Sequence, residues 1–445
     1  MASQRTDEGM GASQATAPPA RARTRSGTYF LSLTVENVRC FGPAQMLDLS
    51  DGHGCHAPWT VILGENSLGK TTLLTCLAGI SGRRRDLDVT VGAWGLEGDW
   101  EDLVRGTGDL EGRAEAALIF PDGSRREAEV RFGQRDRGEV ASVSARLASM
   151  EIVLFQYGAS RRMPRRKGLG DDSGFVRMFL DEDAALRDPQ DWLLTADYNA
   201  RLRGDDGRHF EAFAERVREA LIGMLPEVTD IRIQSADEPG GSPRVEARTP
   251  DGWIPLRRLG FGYQSQIAWL VDFASRMFER YPDSPDPLAE PAVVLVDEID
   301  LHMHPRWQRQ LIEYLTDRCP NTQFIVTAHS PLVVQAAGDA NIVLLRREGD
   351  HVVIDNDPEV LSNWRVDQIL TSELFGLESA RPPQIEAPLK ERRALLAKPK
   401  LTSRDRKRLA ELEAQIGDLP AGESAEDRRA MELIRRAAEK LQTGA

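Results

Sequence analysis

Cysteine and long apolar runs are both scarce in this sequence. Its four cysteines, Cys40, Cys55, Cys76 and Cys319, have no paired spacing, which argues against a disulfide framework and against a zinc ribbon. No apolar run reaches the roughly 18 residues that a transmembrane helix needs, and the first residues are polar rather than typical of a secretion signal. These absences predict a soluble, cytoplasmic protein that makes no membrane contact.

An excess of positive charge is also absent. The formal net charge is −13 over 445 residues, which disfavours a protein that coats nucleic acid over its whole surface. Two basic runs, Arg161–Lys167 and Arg404–Arg408, could grip phosphates, although most such runs are solvated faces. Contact with nucleic acid would therefore be confined to basic patches.

Apolar residues make up 41% of the chain, enough for a substantial core, but they are unevenly distributed. Residues 1–27 contain almost no large apolar side chains, so we expect a disordered tail there. Short β runs predict an α/β fold whose head has a mixed and antiparallel β lobe. The remaining segments are an N-terminal head part at 28–162, a mainly helical insertion at 163–243, a C-terminal head part at 244–376 and a C-terminal helical docking region at 377–445.

A glycine-rich loop, “GENSLGKT”, matches G-x-x-x-x-G-K-[ST] and lies between a predicted strand and a predicted helix. Its amides and the helix N-terminus would cradle the phosphates of ATP, Lys70 would reach the β and γ phosphates, and the Thr71 hydroxyl would ligate Mg²⁺. Ser67 stands where related loops often carry another glycine. The predicted nucleotide contacts are Gly64, Glu65, Asn66, Ser67, Leu68, Gly69, Lys70, Thr71 and Thr72.

Two adjacent carboxylates follow a buried strand. Asp297 and Glu298 come directly after the aliphatic residues Val293–Val296, at the strand end where a parallel sheet presents its ligands. Because adjacent strand residues face opposite ways, Asp297 can hold Mg²⁺ through water while Glu298 orients or deprotonates the attacking water. A solvated acidic strand end is the plainer alternative.

A histidine ends the next buried strand. His329 follows “FIVTA” and precedes Ser330 and Pro331, which favour a loop. At a strand tip beside the other two motifs, its side chain could donate a hydrogen bond to the γ-phosphate. Taken alone, such a histidine would more often be an inert surface or core residue.

The segments “GENSLGKTT”, “VVLVDEIDLHMHP” and “FIVTAHSP”, in this order, resemble the ABC-type P-loop ATPases of the RecF-like and OLD-like group. The resemblance covers about Leu31–Gly376. It implies a head that closes two ATP molecules between two copies, with His329 as the switch histidine and Ile299–His304 as the D-loop that crosses the dimer. It also favours structural roles over a metal pair for His302 and His304.

In this family a signature sequence from the opposite subunit completes each ATP site. The matching segment here is “LGFGYQSQ”, which departs from the usual L-S-G-G-Q because Gly260 replaces the serine. Contacts with the partner's nucleotide would then come from the backbone near Gly260 and Gly262, from the helix dipole, or from Ser265. The resemblance also makes Gln156 the candidate for the Q-loop glutamine at the metal, with an ordinary strand residue as the alternative.

The sequence predicts no nuclease of its own. OLD-like proteins continue into a Toprim nuclease, which needs a glutamate followed by a D-x-D strand, and no such D-x-D follows a plausible strand after His329. The histidines also exclude an HNH nuclease, since His53 and His56 are the closest pair outside the ATPase motifs. Their loop is typical of solvent exposure rather than of a metal site.

The C-terminal stretch from Trp364 onward resembles, more loosely, the stand-alone ATPases of bacterial anti-phage systems such as Septu. This resemblance implies a defence ATPase whose head forms a homodimer or higher homo-oligomer on ATP and controls a separate nuclease effector. A DNA-repair or chromosome-handling ATPase that acts directly on DNA is the alternative. A transporter subunit is poorly supported, because the inserted helices are not apolar.

Two apolar stripes in the C-terminal region suggest a docking surface. Leu409, Leu412 and Ile416 form one stripe, and helical spacing in Ser424–Leu441 forms a second. The two could simply bury each other as a helical hairpin. Leu395 and other apolar positions would still need a covering surface, so we expect this region to dock a partner protein or another copy of the chain.

Overall fold

The computed structural model describes residues 27–81, 105, 112–132, 134–135, 138–139, 142–143, 152–161, 186–202, 215, 218–219, 222, 228–234, 243–358, 364–377, 379–398 and 402–416. They fall into two compact units that divide between Trp364 and Arg365. The boundary of the C-terminal region thus comes earlier than the predicted one at 376. Apart from Gly27, the predicted disordered tail lies outside the described residues.

Strands dominate the first unit. In chain order they are β1 (Tyr29–Glu36), β2 (Gln45–Asp48), β3 (Trp59–Leu63), β4 (Gly112–Ile119), β5 (Arg125–Phe132), β6 (Gln134–Arg135), β7 (Gly138–Glu139), β8 (Ser142–Val143), β9 (Leu154–Tyr157), β10 (Asp230–Gln234), β11 (Arg244–Thr249), β12 (Gly252–Pro255), β13 (Ala292–Val296), β14 (Thr322–Thr327), β15 (Asn341–Glu348) and β16 (His351–Asp355).

Helices occur in both units. They are α1 (Lys70–Ser81), α2 (Pro189–Leu202), α3 (Phe261–Arg280), α4 (Pro305–Arg318), α5 (Pro331–Ala336), α6 (Val366–Thr371), α7 (Pro383–Leu396) and α8 (Ser403–Ile416), with short 3-10 turns at Leu256–Arg258 and Pro287–Ala289. Among the described residues, none of these helices combines the length and the apolar character needed to cross a membrane.

A six-stranded sheet in the order β16-β15-β3-β14-β13-β9 forms the centre of the first unit. Its strands run parallel except β16, which pairs antiparallel with β15. β3, β13 and β14 are buried at every position, because their Val, Ile and Leu runs suit strands covered on both faces. The carboxyl ends of β3, β13 and β14 therefore bring the three sequence motifs to one edge of the sheet.

A second, antiparallel sheet has the order β2-β1-β4-β5-β8. β4 and β5 form the hairpin that the Pro-Asp-Gly turn predicts. Gln323 of β14 joins the two sheets, since its fully buried side chain accepts a hydrogen bond from Phe30 N at 2.9 Å and donates one to Phe30 O at 2.8 Å. The predicted α/β class with a mixed and antiparallel lobe is confirmed.

One apolar core lies between these two sheets and surrounds α1. It takes Leu73, Leu74 and Leu77 from α1, and aliphatic residues from strands of both sheets. On the other side of the main sheet, α3 packs through Trp269 against Tyr157 of β9, with ring centroids 5.5 Å apart. The phosphate-loop helix and the helix of the signature-like segment therefore cover opposite faces of one sheet.

Among its described residues, the predicted helical insertion contains both a helix and a strand. α2 lies within it, but so does β10, which pairs antiparallel with β11 in a three-stranded sheet β10-β11-β12. The predicted boundary at residue 243 consequently cuts through a sheet, because helical spacing upstream concealed the short strand. Residues 163–185 and most of residues 203–227 of the predicted insertion lie outside the described residues.

In the second unit, α7 and α8 pack as a hairpin. Leu395, Leu412 and Ile416 are buried, with Ile385, Leu389 and Leu409 packed against them. The stripe on α8 thus packs against α7. Ser424–Leu441, the second predicted stripe, lies outside the described residues. Leu395 therefore needs no further cover, whereas Leu396 is 48% exposed.

Candidate active site

The phosphate loop lies between the end of β3 and the start of α1. Lys70 is 7% exposed, and its Nζ donates to the carbonyl oxygens of Gly64 at 2.8 Å and Glu65 at 2.9 Å. Burial lowers the pKa of the Lys70 ammonium, and the carboxylates of Asp297, Glu298 and Asp300 oppose that shift. The loop thus wraps around a buried cation at a helix N-terminus, which is the arrangement that binds phosphates.

Two residues of this loop adopt left-handed backbone conformations. Ser67 has a φ of 65°, so this position has the conformation that the glycine of related loops adopts without strain. Gly69 has a φ of 86°, and a Cβ there would lie 2.5 Å from Cys40 Sγ and 2.8 Å from the Phe41 ring. Glycine is therefore required at position 69 both by conformation and by space.

The two predicted magnesium ligands lie side by side. Thr71 Oγ1 donates to Asp297 Oδ2 at 2.7 Å, and Thr327 Oγ1 donates to Asp297 Oδ1 at 2.6 Å. A hydroxyl and a carboxylate at the carboxyl edge of the sheet form the oxygen donor set that Mg²⁺ prefers. The residues present therefore fit Mg²⁺, with Thr71 and Asp297 as the groups that would hold it.

Gln156 is a buried polar residue on the same face of the main sheet as Asp297. It is 3% exposed, and neither atom of its side-chain amide has a hydrogen-bond partner in the described part of the chain. It pairs in register with Leu295, so strand alternation puts it on the face of the sheet that carries Asp297. An orphaned buried amide is costly, which supports a polar ligand for Gln156 when the site is loaded.

Glu298 sits on a strained turn. Its φ is 48°, which is uncommon for a residue other than glycine. The turn is fastened at both sides, because Glu298 N donates to Thr327 Oγ1 at 2.7 Å and Leu301 N donates to Glu298 O at 2.9 Å. The Glu298 side chain is only half-buried, so its carboxylate is available to a water molecule at the edge of the sheet.

A buried arginine lies behind the carboxylate pair. Arg161 is 4% exposed; it donates to Asp297 O, to Gly158 O at 3.0 Å and to Glu298 O at 2.9 Å. Burial lowers its pKa to about 10, against the opposing effect of the nearby carboxylates. The basic run suggested that Arg161 could contact phosphates at the surface, but the structure buries it. Residues 162–167 of that run lie outside the described residues.

His329 is exposed two residues beyond the end of β14. Its backbone N–H donates to both carboxylate oxygens of Asp300, at 3.2 and 3.1 Å. Ser330 then caps α5 by accepting from Leu332 N. The loop is thus held by its backbone at the edge of the sheet that carries the P-loop, and the role of His329 as a switch histidine stays a prediction.

The signature-like segment begins α3 and packs on the D-loop of the same chain. Gly260 is the exposed N-cap, whereas a Cβ at Gly262 would lie 2.4 Å from His302 O. Ser265 is 2% exposed. Because that hydroxyl is buried in its own subunit, the part of the prediction that gives Ser265 a contact with a partner's nucleotide does not agree with the structure. The backbone near Gly260 and Gly262 keeps that role as a prediction.

The D-loop histidines have structural contacts. His304 caps α4, where its Nδ1 accepts from Arg306 N at 3.3 Å. The ring of His302 meets Phe261 edge-on, with centroids 4.7 Å apart. Within the described residues no group of three or more His, Cys, Asp or Glu side chains could hold a metal ion. These contacts agree with the expectation of structural roles for both histidines.

Sequence reasoning missed two residues of this site, Thr327 and Arg161. Thr327 could have been noticed, since it is a hydroxyl at the end of an otherwise aliphatic run, two residues before His329. Arg161 gave no such signal, because an arginine in a basic run is expected to face solvent. Both bind groups that are distant in sequence and adjacent only in the fold.

A known protein family covers the whole of this site. Residues 59–335 match the family described as “AAA domain, putative AbiEii toxin, Type IV TA system”. The chain belongs to this family. The prediction of a P-loop ATPase domain is thereby confirmed, and the matched range contains Lys70, Asp297, Glu298 and His329.

The curated relatives include Septu and retron proteins. “Septu protein PtuA” of Bacillus mycoides (strain KBAB4) is 25% identical over 348 residues, which cover 76% of this chain and 43% of that protein. “Retron Ec83 probable ATPase” of Escherichia coli is 30% identical over 197 residues, which cover 43% of this chain and 34% of that protein. The chain therefore spans less than half the length of either relative.

Solved structures with a similar fold include the one titled “Crystal structure of the SmcHead bound to the C-winged helix domain of ScpA”. It is 15% identical, with a TM-score of 0.43, and the match covers 74% of this chain and 97% of that one. “Structure of the recombination mediator protein RecF-ATPrS in RecFOR pathway” is 13% identical with a TM-score of 0.40, covering 74% and 99%. At these identities the likeness concerns the fold alone.

Proposed function

We propose that this chain hydrolyses ATP with Mg²⁺, dimerises on ATP and controls a separate nuclease effector in bacterial anti-phage defence. The hydrogen bond of 2.7 Å between Thr71 and Asp297 carries the catalytic part of the proposal. It joins the P-loop to the acidic strand end, so that a nucleotide's phosphates and its metal would meet both motifs at once.

The chemistry follows from the placement of five side chains. Lys70 and the loop amides would bind the phosphates, while Thr71 and Asp297 would hold the metal, which would supply positive charge against the phosphates. Glu298, fastened on its turn, orients the attacking water and accepts its proton. The exposed imidazole of His329 donates a hydrogen bond to the γ-phosphate as negative charge develops there.

Dimerisation is supported by the exposed N-terminus of α3 in the first unit. Gly260 is exposed at the start of α3, and Phe261 beside it is 47% exposed. The helix therefore presents its N-terminal amides to solvent, where a second subunit could place a γ-phosphate. The family resemblance of “LGFGYQSQ” motivates this role.

The defence role is supported by the names of the relatives, Septu protein PtuA and a retron ATPase. A nuclease effector is proposed because stand-alone ATPases of systems such as Septu, which the C-terminal stretch resembles, work with one. The helical hairpin of the second unit is the proposed docking element for that effector or for another copy of the chain.

Steady-state ATP turnover of two variants tests the catalytic assignment. Lys70→Ala should weaken nucleotide binding because it removes the phosphate cation. Glu298→Gln should retain binding but stop turnover, because its amide cannot accept the proton of the water. Hydrolysis by Glu298→Gln at the parent rate would contradict the role of this carboxylate.

Native mass measurement tests the assembly. The chain is purified with and without the product of a neighbouring nuclease gene, in the presence and absence of ATP. Glu298→Gln with ATP should increase the mass by one further copy of the chain, and the nuclease should co-purify. A mass that ATP leaves unchanged, together with no nuclease bound, would refute the dimer and effector parts while leaving the ATPase assignment intact.

A further inference from the structure

We propose that Arg161 is a positioning residue for ATP hydrolysis, whose guanidinium holds the backbone turn that aims the Glu298 carboxylate at the attacking water. This inference rests on the proposed function, because it takes Glu298 as the carboxylate that activates water. It assigns to Arg161 an effect on turnover through Glu298, without any contact of its own with ATP.

The turn at Glu298 is one that the chain would not adopt unaided. A φ of 48° is unfavourable at a residue with a Cβ, because the Cβ comes too close to the following carbonyl oxygen. Such conformations persist where surrounding contacts determine them, and they are concentrated at active sites. The direction of the Glu298 side chain is set by this backbone, so the groups that hold the backbone also hold the carboxylate.

Arg161 binds the turn at two successive peptide groups. Nη1 donates to Asp297 O and Nη2 donates to Glu298 O at 2.9 Å. These carbonyls flank the Glu298 Cα, and fixing both fixes the rotation of the residue between them. A planar guanidinium can hold two acceptors in a defined geometry, whereas a lysine ammonium acts as a point charge.

The burial of Arg161 indicates that its contacts matter beyond charge balance. It is 4% exposed, and within the described residues its guanidinium donates to backbone carbonyls while Nε has no partner. Burial of a cation whose described hydrogen-bond acceptors are carbonyls carries a desolvation penalty, so such a group adds little to the stability of a fold. It can nonetheless orient a peptide precisely.

Arg161 also links the turn to the strand that carries Gln156. Its Nη1 donates to Gly158 O at 3.0 Å, directly after β9, and Asp297 N donates to Tyr157 O at 2.8 Å. The loop after β9 and the turn after β13 are therefore joined by hydrogen bonds from both the backbone and the Arg161 guanidinium. Loss of the guanidinium would remove its two hydrogen bonds to the turn, while the bond from Glu298 N to Thr327 Oγ1 and the P-loop with its lysine would remain.

The experiment measures kcat, KM, the affinity for the fluorescent analogue mant-ATP, and the melting temperature of the full chain. The variants are Arg161→Lys, which keeps the charge, and Arg161→Met, which keeps much of the apolar stem. Arg187→Lys is the matched control, because Arg187 is another largely buried arginine whose guanidinium donates to Glu279 and Ser275 of α3.

Both Arg161 variants should lower kcat on the order of 100-fold, the cost of misplacing a catalytic group by about 1 Å, with mant-ATP affinity unchanged. Arg187→Lys should keep the parent kcat. A parent rate in Arg161→Lys would overturn the proposal, because charge alone would then suffice. Equal losses of affinity and rate, or failure of both variants to fold, would instead make Arg161 a structural residue. Absence of turnover in the parent chain would refute the proposed function itself.

Discussion

Replacing Thr327 by valine should separate catalysis from folding at this site. Thr327 is fully buried at the end of β14. Its hydroxyl donates to Asp297 Oδ1 at 2.6 Å and accepts from Glu298 N at 2.7 Å. Thr327→Val keeps the branched shape and removes only this hydroxyl, so both carboxylate residues lose one anchor in a single substitution.

The size of the effect follows from the charged hydrogen bond. A hydrogen bond to an ionised group contributes about 1.5–3 kcal/mol. If that whole amount is lost from transition-state stabilisation, kcat falls about 10- to 160-fold, because about 1.36 kcal/mol corresponds to a factor of ten. Loss of the hydrogen bond from Glu298 N to Thr327 Oγ1 should lower kcat as well, so we expect a decrease in the upper half of this range.

Steady-state ATP turnover as a function of Mg²⁺ concentration measures this effect. Thr327→Ser is the matched control, because it restores the hydroxyl while lacking the methyl group, and it should recover most of the parent rate. The reasoning would be refuted by a valine variant with the parent kcat and the parent Mg²⁺ dependence. A serine variant as slow as the valine variant would show that packing, rather than the hydroxyl, sets the rate.

Two further substitutions test contacts that position the site. Gly262→Ala should destabilise the chain by about 1–3 kcal/mol through overpacking, because its Cβ would lie 2.4 Å from His302 O; an unchanged melting temperature would contradict the close approach. Gln323→Met should destabilise it by about 1–3 kcal/mol for each Phe30 backbone group left without a partner, measured by denaturant unfolding. Retention of the parent unfolding midpoint would show that Gln323 does not fasten the two sheets.

The first of these substitutions also bears on how the dimer can be tested. An aspartate at Gly262 would clash with the D-loop of its own chain, since the space beside that glycine is filled by His302 O. A loss of assembly in such a variant could then arise from misfolding of one subunit. Gly260 is a better position for such a substitution, because a Cβ there would lie 3.8 Å from the Tyr263 ring, an ordinary van der Waals distance.

Local sequence determined the parts of this protein whose chemistry is carried by contiguous residues. The P-loop could be predicted because a glycine-rich turn between an apolar strand and a helix uses only neighbours in the chain. Asp297 and Glu298 could also be predicted from sequence, because the four aliphatic residues before them indicate a buried strand that ends at this pair. The hairpin of β4 and β5 followed in the same way from its Pro-Asp-Gly turn.

Tertiary structure alone decided which distant groups complete the site. The Arg161 guanidinium reaches two carbonyls more than 130 positions away, at sequence separations of 136 and 137, and the burial that makes it costly arises only when β9 and β13 pair. Ser265 shows the reverse case, since its sequence position suggested a ligand and the packing of α3 hid it. In both instances the physical reason is the same: solvent exposure and hydrogen-bond partners are properties of the folded surface, which side-chain type and local spacing do not specify.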